Sequence, residues 1–182
     1  MAQTPLETAQ QLFIRRWGEM AASWGISRTM AEIHALLFLA PEPLCTDDVM
    51  ERLSVSRGSA SMNLRDLVRW GLITRVHHMG DRKEYFEAEK DVWQMFETIT
   101  RERRRREVQP IVETIQRCLK MIEGQPGGQS AVQRREAEAV EKRLAHLLEF
   151  CELMNSLFNL FVSAAGRAGM KPMAKALAKL AS

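Results

Sequence analysis

The chain has 182 residues, 46% hydrophobic and 27% charged, with only 10 glycines and 6 prolines; that is enough apolar material for one ordinary domain or two small ones, and it excludes a disordered, collagen-like or linker-dominated chain. The net charge of +3 is unevenly spread: residues 1–51 carry 3 basic and 7 acidic groups, residues 52–106 carry 13 and 8, and residues 107–182 carry 10 and 8. The middle third, most densely from Arg52 to Lys83, has the concentration of positive charge that a polyanion partner requires.

Between about Glu7 and Ala22, Leu12, Phe13, Trp17 and Met20 recur at helical spacing with no proline inside, which predicts an amphipathic helix ended at Gly25. Ser27 is placed to cap a second helix with Met30, Ile33, Leu37 and Phe38 on its buried stripe, stopped by Pro41 and Pro43. Thr46 is placed to cap a short third helix; Asp47 and Asp48 in its first turn suit the positive end of the helix dipole, and Val49, Met50 and Leu53 are its apolar positions. Ser54-Val55-Ser56 breaks the period, with Val55 able to plug the corner, and Ser56 caps a fourth helix running to Trp70 and ended by Gly71. Two helices joined by so short a turn predict a helix-turn-helix. The pattern then changes to short extended runs, 72–76 and 84–87, around the polar segment 77–82 with Gly80 at its turn, which predicts a β-hairpin. A helix-turn-helix followed by a hairpin is the element order of a winged helix, and the order is more specific than any one element.

Asp91 can cap a long helix begun by Val92, Phe96 and Ile99; it becomes very polar at 101–107, and Pro110 either kinks it or starts a new helix on which Ile111, Ile115, Leu119 and Ile122 resume the apolar stripe. Residues 125–130 are the strong breaker cluster, and Ser130 can cap the last long helix. There Val140, Leu144, Leu147, Cys151, Met154, Phe158 and Phe161 alternate steps of four and three, while Leu148, Leu157 and Leu160 widen the stripe. Two sides of that helix require burial, so packing on a partner subunit is expected, with a monomeric helical core as the alternative. A small basic amphipathic helix is expected over 171–180. The expected fold class is mainly α: a winged helix-turn-helix with a β-hairpin wing, plus N- and C-terminal helices forming a dimerisation region. The expected division is 1–26 for the N-terminal helix, 27–90 for the winged helix, and 91–182 for the helical dimerisation region.

On a helical wheel from Arg57 to Trp70, Ala60, Leu64, Leu67 and Gly71 fall on the side that must face the core. Gly58, Met62, Arg65 and Arg69 lie opposite, with Arg57, Ser59, Ser61 and Asn63 at the ends and flanks of the outward face. Small groups at Gly58, Ser59 and Ser61 allow close approach to a major-groove floor; Arg57 can pair bidentately with guanine, Asn63 can read adenine, and Met62 offers contact to a thymine methyl. Arg65 and Arg69 lie where phosphates pass, and the Ser54 and Ser56 hydroxyls at the helix start suit phosphate. In the wing, Arg82 is placed to reach a minor groove or a phosphate, with His77, His78 and Lys83 nearby. The bland alternative for these residues is a solvated helix face. Metal ligation by His77 and His78 is disfavoured, since neighbours on a strand point to opposite faces and no carboxylate or cysteine has ligand spacing to them.

Cys45, Cys118 and Cys151 are far apart and lack ligand spacing, so neither a disulfide framework nor a metal site is indicated. No glycine-rich phosphate loop, nucleophile elbow or HExxH is present, so neither an enzyme nor a cofactor is expected. The longest apolar runs, such as 35–40, are too short to cross a bilayer, and residues 1–8 lack the pattern of a secretory signal, so no membrane association and a cytoplasmic address are expected.

The run SVSRGSASMNLRDLVRWGLI at 54–73, followed by GDRKEYFEAE at 80–89, resembles the GbsR-type branch of the MarR winged-helix transcription regulators. The resemblance is strongest from about Arg28 to Glu89. It implies a homodimeric repressor that binds a pseudo-palindromic operator in double-stranded DNA through recognition helix 57–70 and wing 77–83, with Arg82 as the wing arginine, and a small effector that alters the spacing of the two recognition helices. Members of the branch respond to osmoprotectants such as choline. Phe13, Trp17, Met20 and Trp24 at helical spacing would suit a quaternary ammonium by cation–π attraction, although such a stripe is more often core. The run Arg101–Arg106 either touches phosphates or a partner, or is a solvated helix face on which Glu102 and Glu107 form pairs three or four residues apart. The rival to DNA binding is a winged-helix module that makes protein contacts within a larger assembly.

Overall fold

The computed structural model describes residues 4–124 and 130–162, with side chains through Leu160. The helix expected over 171–180, the Phe161 side chain and most of the breaker cluster lie outside the described residues. The chain divides into two compact units, residues 1–99 and 100–182.

In the first unit, α1 spans Pro5–Ser23. It begins earlier than its apolar period because Thr4 and Glu7 form a reciprocal cap: the Glu7 N–H donates to Thr4 Oγ1 at 3.2 Å and the Thr4 N–H to Glu7 Oε2 at 2.8 Å. The buried small residues Gly18 and Ala21 let it lie close on α2, Arg28–Leu39; a Cβ on Gly18 would stand 2.6 Å from Glu32 Cγ. The Ser27 hydroxyl caps α2 by accepting the Met30 N–H at 3.3 Å. At the other end Lys90 Nζ donates to the carbonyls of Leu37, Phe38 and Ala40 at 2.8, 2.9 and 2.9 Å, so a lysine some fifty residues away closes the helix that Pro41 prevents from continuing.

The third helix corrects one expectation and adds an element. Cys45, not Thr46, occupies the N-cap of α3, Thr46–Leu53, because Leu44 and Cys45 are still extended as a short strand, β1, paired antiparallel with β3 through Leu44↔Phe86 and Cys45↔Tyr85. Asp48 completes the cap, its Oδ2 accepting the Cys45 N–H at 2.8 Å. Ser54 ends α3 with φ of 53°, a left-handed conformation uncommon outside glycine and asparagine, and so turns the chain sharply into α4, Arg57–Trp70. The Ser56 hydroxyl caps α4 by accepting the Ser59 N–H at 3.3 Å, and Gly71, φ 76°, ends it.

Strands β2, Ile73–Val76, and β3, Tyr85–Ala88, form the expected hairpin, and β1 extends it to a sheet of order β1-β3-β2. Ile33, Leu37, Val49, Leu64, Leu67 and Ile73 are its fully buried core, drawn from three helices and the sheet. Asp91 starts α5, Val92–Arg103, by accepting the Trp93 and Gln94 N–H groups at 2.7 and 3.2 Å. The buried anchor of that helix is Met95; Val92 and Phe96, expected to begin its stripe, are exposed.

In the second unit a π-helical turn, Arg104–Val108, leads into α6, Gln109–Glu123, with Pro110 in its first turn. Proline has no N–H for a backward hydrogen bond, so the helix widens before it and restarts, and of the two readings of Pro110 the second holds. The arginine run is largely paired: Glu102 accepts from Arg105 and Arg106 at 2.7 and 2.5 Å, and Arg103 meets Glu107 at 3.1 Å. The Arg105 guanidinium above all, joined by that of Arg106, pulls the Glu102 carboxyl down to about 2. Arg104 donates to Asn155 and, at 2.9 Å, to Asn159 of α7, Ala131–Val162. Ser130 and Gln133 cap α7 reciprocally.

Candidate nucleic-acid interface

The seating of α4 is set by one apolar line. Ala60, Leu64 and Leu67 are fully buried as their spacing requires, so the opposite side, Gly58, Met62, Arg65 and Arg69, faces outward, with Met62 55% exposed. Ser59 and Ser61 are half-buried on its flanks, and Ser56 and Arg57 stand exposed at its N-terminus. Arg65 is extended along the helix, its Nε donating to the Ser61 carbonyl at 3.2 Å, and Arg69 meets Asp66 at 3.0 Å.

Asn63 is a correction. Expected on the outward flank as an adenine reader, it is 3% exposed. Its Nδ2 donates to the Ser59 carbonyl at 2.8 Å and its Oδ1 accepts from the Ser27 hydroxyl at 3.3 Å, so it ties α4 to the start of α2. A buried amide is kept because both its ends are satisfied, and it is unavailable to a base edge.

In the wing, His77, His78, Arg82 and Lys83 are all exposed. His78 packs edge-on against Tyr85 with ring centres 4.4 Å apart. Asp81 orders the turn, accepting the Lys83 N–H at 3.0 Å and the Tyr85 hydroxyl at 2.7 Å. These two bonds hold its carboxyl below the usual range. No group of three or more potential metal ligands occurs among the described residues.

One acid joins the helix to the wing. Asp47 Oδ1 meets Arg57 Nη2 at 2.5 Å and its Oδ2 meets Lys83 Nζ at 3.2 Å. The Lys83 ammonium and the Arg57 guanidinium together lower the Asp47 carboxyl from its ordinary value. From the sequence alone Asp47 reads only as a dipole residue. The signal available was its redundancy: Asp48, at the third helical position, already supplies the carboxylate that a cap needs.

Of the stripe Phe13, Trp17, Met20 and Trp24, the structure stacks Phe13 on Trp17 with centres 5.6 Å apart, and the ring contacts continue from Trp17 to His34 at 6.3 Å and from His34 to Phe38 at 6.4 Å. Phe13, Met20 and Trp24 are on the exposed side of the cluster.

Residues 24–84 match the model of the MarR family. Over 111 residues the chain is 29% identical to the HTH-type transcriptional repressor GbsR of Bacillus subtilis (strain 168), a stretch that covers 61% of each chain. It is 21% identical over 91 residues to the HTH-type transcriptional repressor OpcR of the same organism, covering 50% of this chain and 49% of that one. The match therefore spans between about half and three fifths of these relatives. A crystal structure of a transcriptional regulator superposes with a TM-score of 0.54 at 22% identity, over 83% of this chain and 98% of the other, and has the same fold. Over residues 24–84 the chain is thus similar to the MarR family, and over a longer stretch it resembles the GbsR-type branch of those regulators.

Proposed function

We propose that the chain is a homodimeric, sequence-specific DNA-binding transcription repressor in which residues 27–90 bind DNA, 1–26 serve dimerisation and the effector, and 91–182 serve dimerisation. The observation that carries this reading is the disposition of α4: its apolar line is consumed by the core, and what remains outward is a helix start with small residues and Arg57, followed by Met62, Arg65 and Arg69, with Arg82 and Lys83 on the hairpin. The relatives GbsR and OpcR are named as repressors, which supports both the class and the sign of regulation. No helix among the described residues is long and apolar enough to cross a membrane.

The groups divide by role. Arg57 is the base reader, with Ser56, Ser59, Ser61 and Met62 permitting and shaping close approach; Arg65 and Arg69 meet phosphates; Arg82 reaches the minor groove, with His78 and Lys83 beside it. Arg57→Ala is expected to cost on the order of 1–3 kcal/mol per contacted half-site and to relax preference at particular operator positions. Arg65→Ala and Arg69→Ala should weaken binding to all duplexes alike and flatten the salt slope by roughly one unit per lost contact. Arg82→Ala should hurt A·T-rich flanks most. Affinities for an operator selected from a random pool and for a scrambled duplex check all four; if Arg57→Ala and Arg82→Ala bind the operator as the parent does, the winged helix is not the reading element.

Dimerisation is supported by the apolar surface a single chain leaves open: Val140, Leu147, Met154 and Leu157 on α7 are about half exposed. A groove of about 400 Å³ in the same unit is lined by Val108, Phe150, Cys151, Met154 and Phe158. Light scattering at micromolar concentration should give twice the chain mass, and Met154→Glu should yield monomers or insoluble protein. A stable monomeric parent would contradict the dimer. For a small cationic effector, the exposed rings of Phe13 and Trp24, with Trp17 and Met20 between them on α1, provide the aromatic surface.

A further inference from the structure

The geometry points to Asp47 as a specificity-determining residue of the DNA-reading surface: its carboxylate holds Arg57 of the recognition helix and Lys83 of the wing, positions Arg57 for a base, and opposes the use of either cation on phosphate alone. The inference rests on the DNA-binding role proposed above and adds a residue outside the basic surface to it.

Three elements meet at this one side chain. Asp47 lies in the first turn of α3, Arg57 is the first residue of α4, and Lys83 precedes β3. Neither folding task in reach requires Asp47. The cap of α3 is made by Asp48, and the wing turn is ordered by Asp81, which takes the backbone N–H of Lys83 while leaving its ammonium to Asp47. The side chains of Asp47 and Arg57 are 46% and 69% exposed, so the ion pair itself contributes little to stability. Asp66, the acid of α4 itself, is engaged further along by Arg69.

Arg57 donates to Asp47 through Nη2. A guanidinium carries five N–H donors in a fixed fork, so the rest of the fork can meet the O6 and N7 acceptors of guanine while the carboxylate braces it. The side chain is then ordered before the base arrives, and reading guanine requires no separate ordering of a long, flexible arm. Phosphate makes the opposite demand. Moving Arg57 and Lys83 onto the backbone of an arbitrary duplex strips Asp47 of both partners and leaves its charge close to phosphate, a like-charge contact that penalises every wrong sequence.

Asp47→Asn retains the shape and removes the charge. The full-length variant should bind a scrambled duplex more tightly than the parent and the selected operator no more tightly, so that the operator-to-scrambled ratio falls about tenfold. The salt dependence on the scrambled duplex should steepen by roughly one unit for each cation released to phosphate. Asp47→Ser repeats the change with a different side chain, and thermal melting of both variants identifies any loss of folding. A ratio within twofold of the parent's in both folded variants, or equal weakening on the two duplexes, overturns the proposal. A parent that binds neither duplex removes the DNA-binding reading and this inference with it, whereas a parent that discriminates beside variants that discriminate equally removes this inference alone.

Discussion

Leu64→Ala is expected to cost the first unit about 3–5 kcal/mol in chemical denaturation, the upper part of the range for a buried leucine truncated to alanine. Leu64 is 1% exposed and belongs to the cluster that holds Ile33, Leu37 and Leu67, so the removed atoms leave a cavity among neighbours from separate elements that cannot all collapse into it. Against a typical domain stability of about 5–15 kcal/mol, that loss makes the winged helix marginal and takes operator affinity with it. Met62→Ala on the same helix should change stability by no more than about 0.5 kcal/mol, since that side chain is largely in solvent. A Leu64→Ala cost below about 1 kcal/mol would mean that α4 does not seat through this line.

The second large effect concerns acid. His34 is 3% exposed between Trp17 and Phe38, and its Nε2 has no hydrogen-bond partner among the described residues. Burial, with a smaller contribution from the Lys90 ammonium that closes α2, lowers its pKa from 6.5 to about 4. The folded state therefore holds the ring neutral while the unfolded state takes up a proton in that window. Stability associated with His34 is fully present above about pH 6.5 and is lost as the pH falls towards 4, by an amount on the order of 3 kcal/mol. The carboxylates with lowered values, Asp47, Asp81 and Glu102, begin to lose their contributions only lower in the range, so the upper part of the window isolates the histidine. Denaturation of the parent should weaken from pH 6.5 to 4.5, and His34→Phe should flatten that decline. An equal decline in parent and variant would place the acid sensitivity elsewhere.

The elements that carry their own punctuation were legible in the sequence. Ser27 and Ser56 cap as read, Gly71 ends α4 in the left-handed conformation, and the stripe Ala60, Leu64, Leu67 gave the outward face of the helix by subtraction. What failed was decided by contacts distant along the chain. The strand Leu44–Cys45 has no period of its own and exists because β3 offers it an edge, and that pairing moved the cap from Thr46 to Cys45. Asn63 sits near the margin of the helical wheel, where a rotation of a few tens of degrees separates groove from core, and the Ser27 hydroxyl is the partner that made burial affordable. The π-helical turn before Pro110 follows from a missing N–H that propensity alone does not locate, and the hold of Asp47 on Arg57 and Lys83 depends on a wing brought back beside α3 by the sheet.

The most direct measurement is the affinity of the full-length protein for a duplex selected from a random pool, followed as salt is raised from about 50 to 200 mM. A dimer that meets 6–10 phosphates through Arg65, Arg69 and the wing should lose about 10³–10⁵ in affinity over that range, with the selected duplex held more tightly than a scrambled one throughout. Failure to enrich any duplex, or binding that is indifferent to salt and sequence, would contradict DNA reading by the winged helix and leave a protein-docking module as the function of the fold.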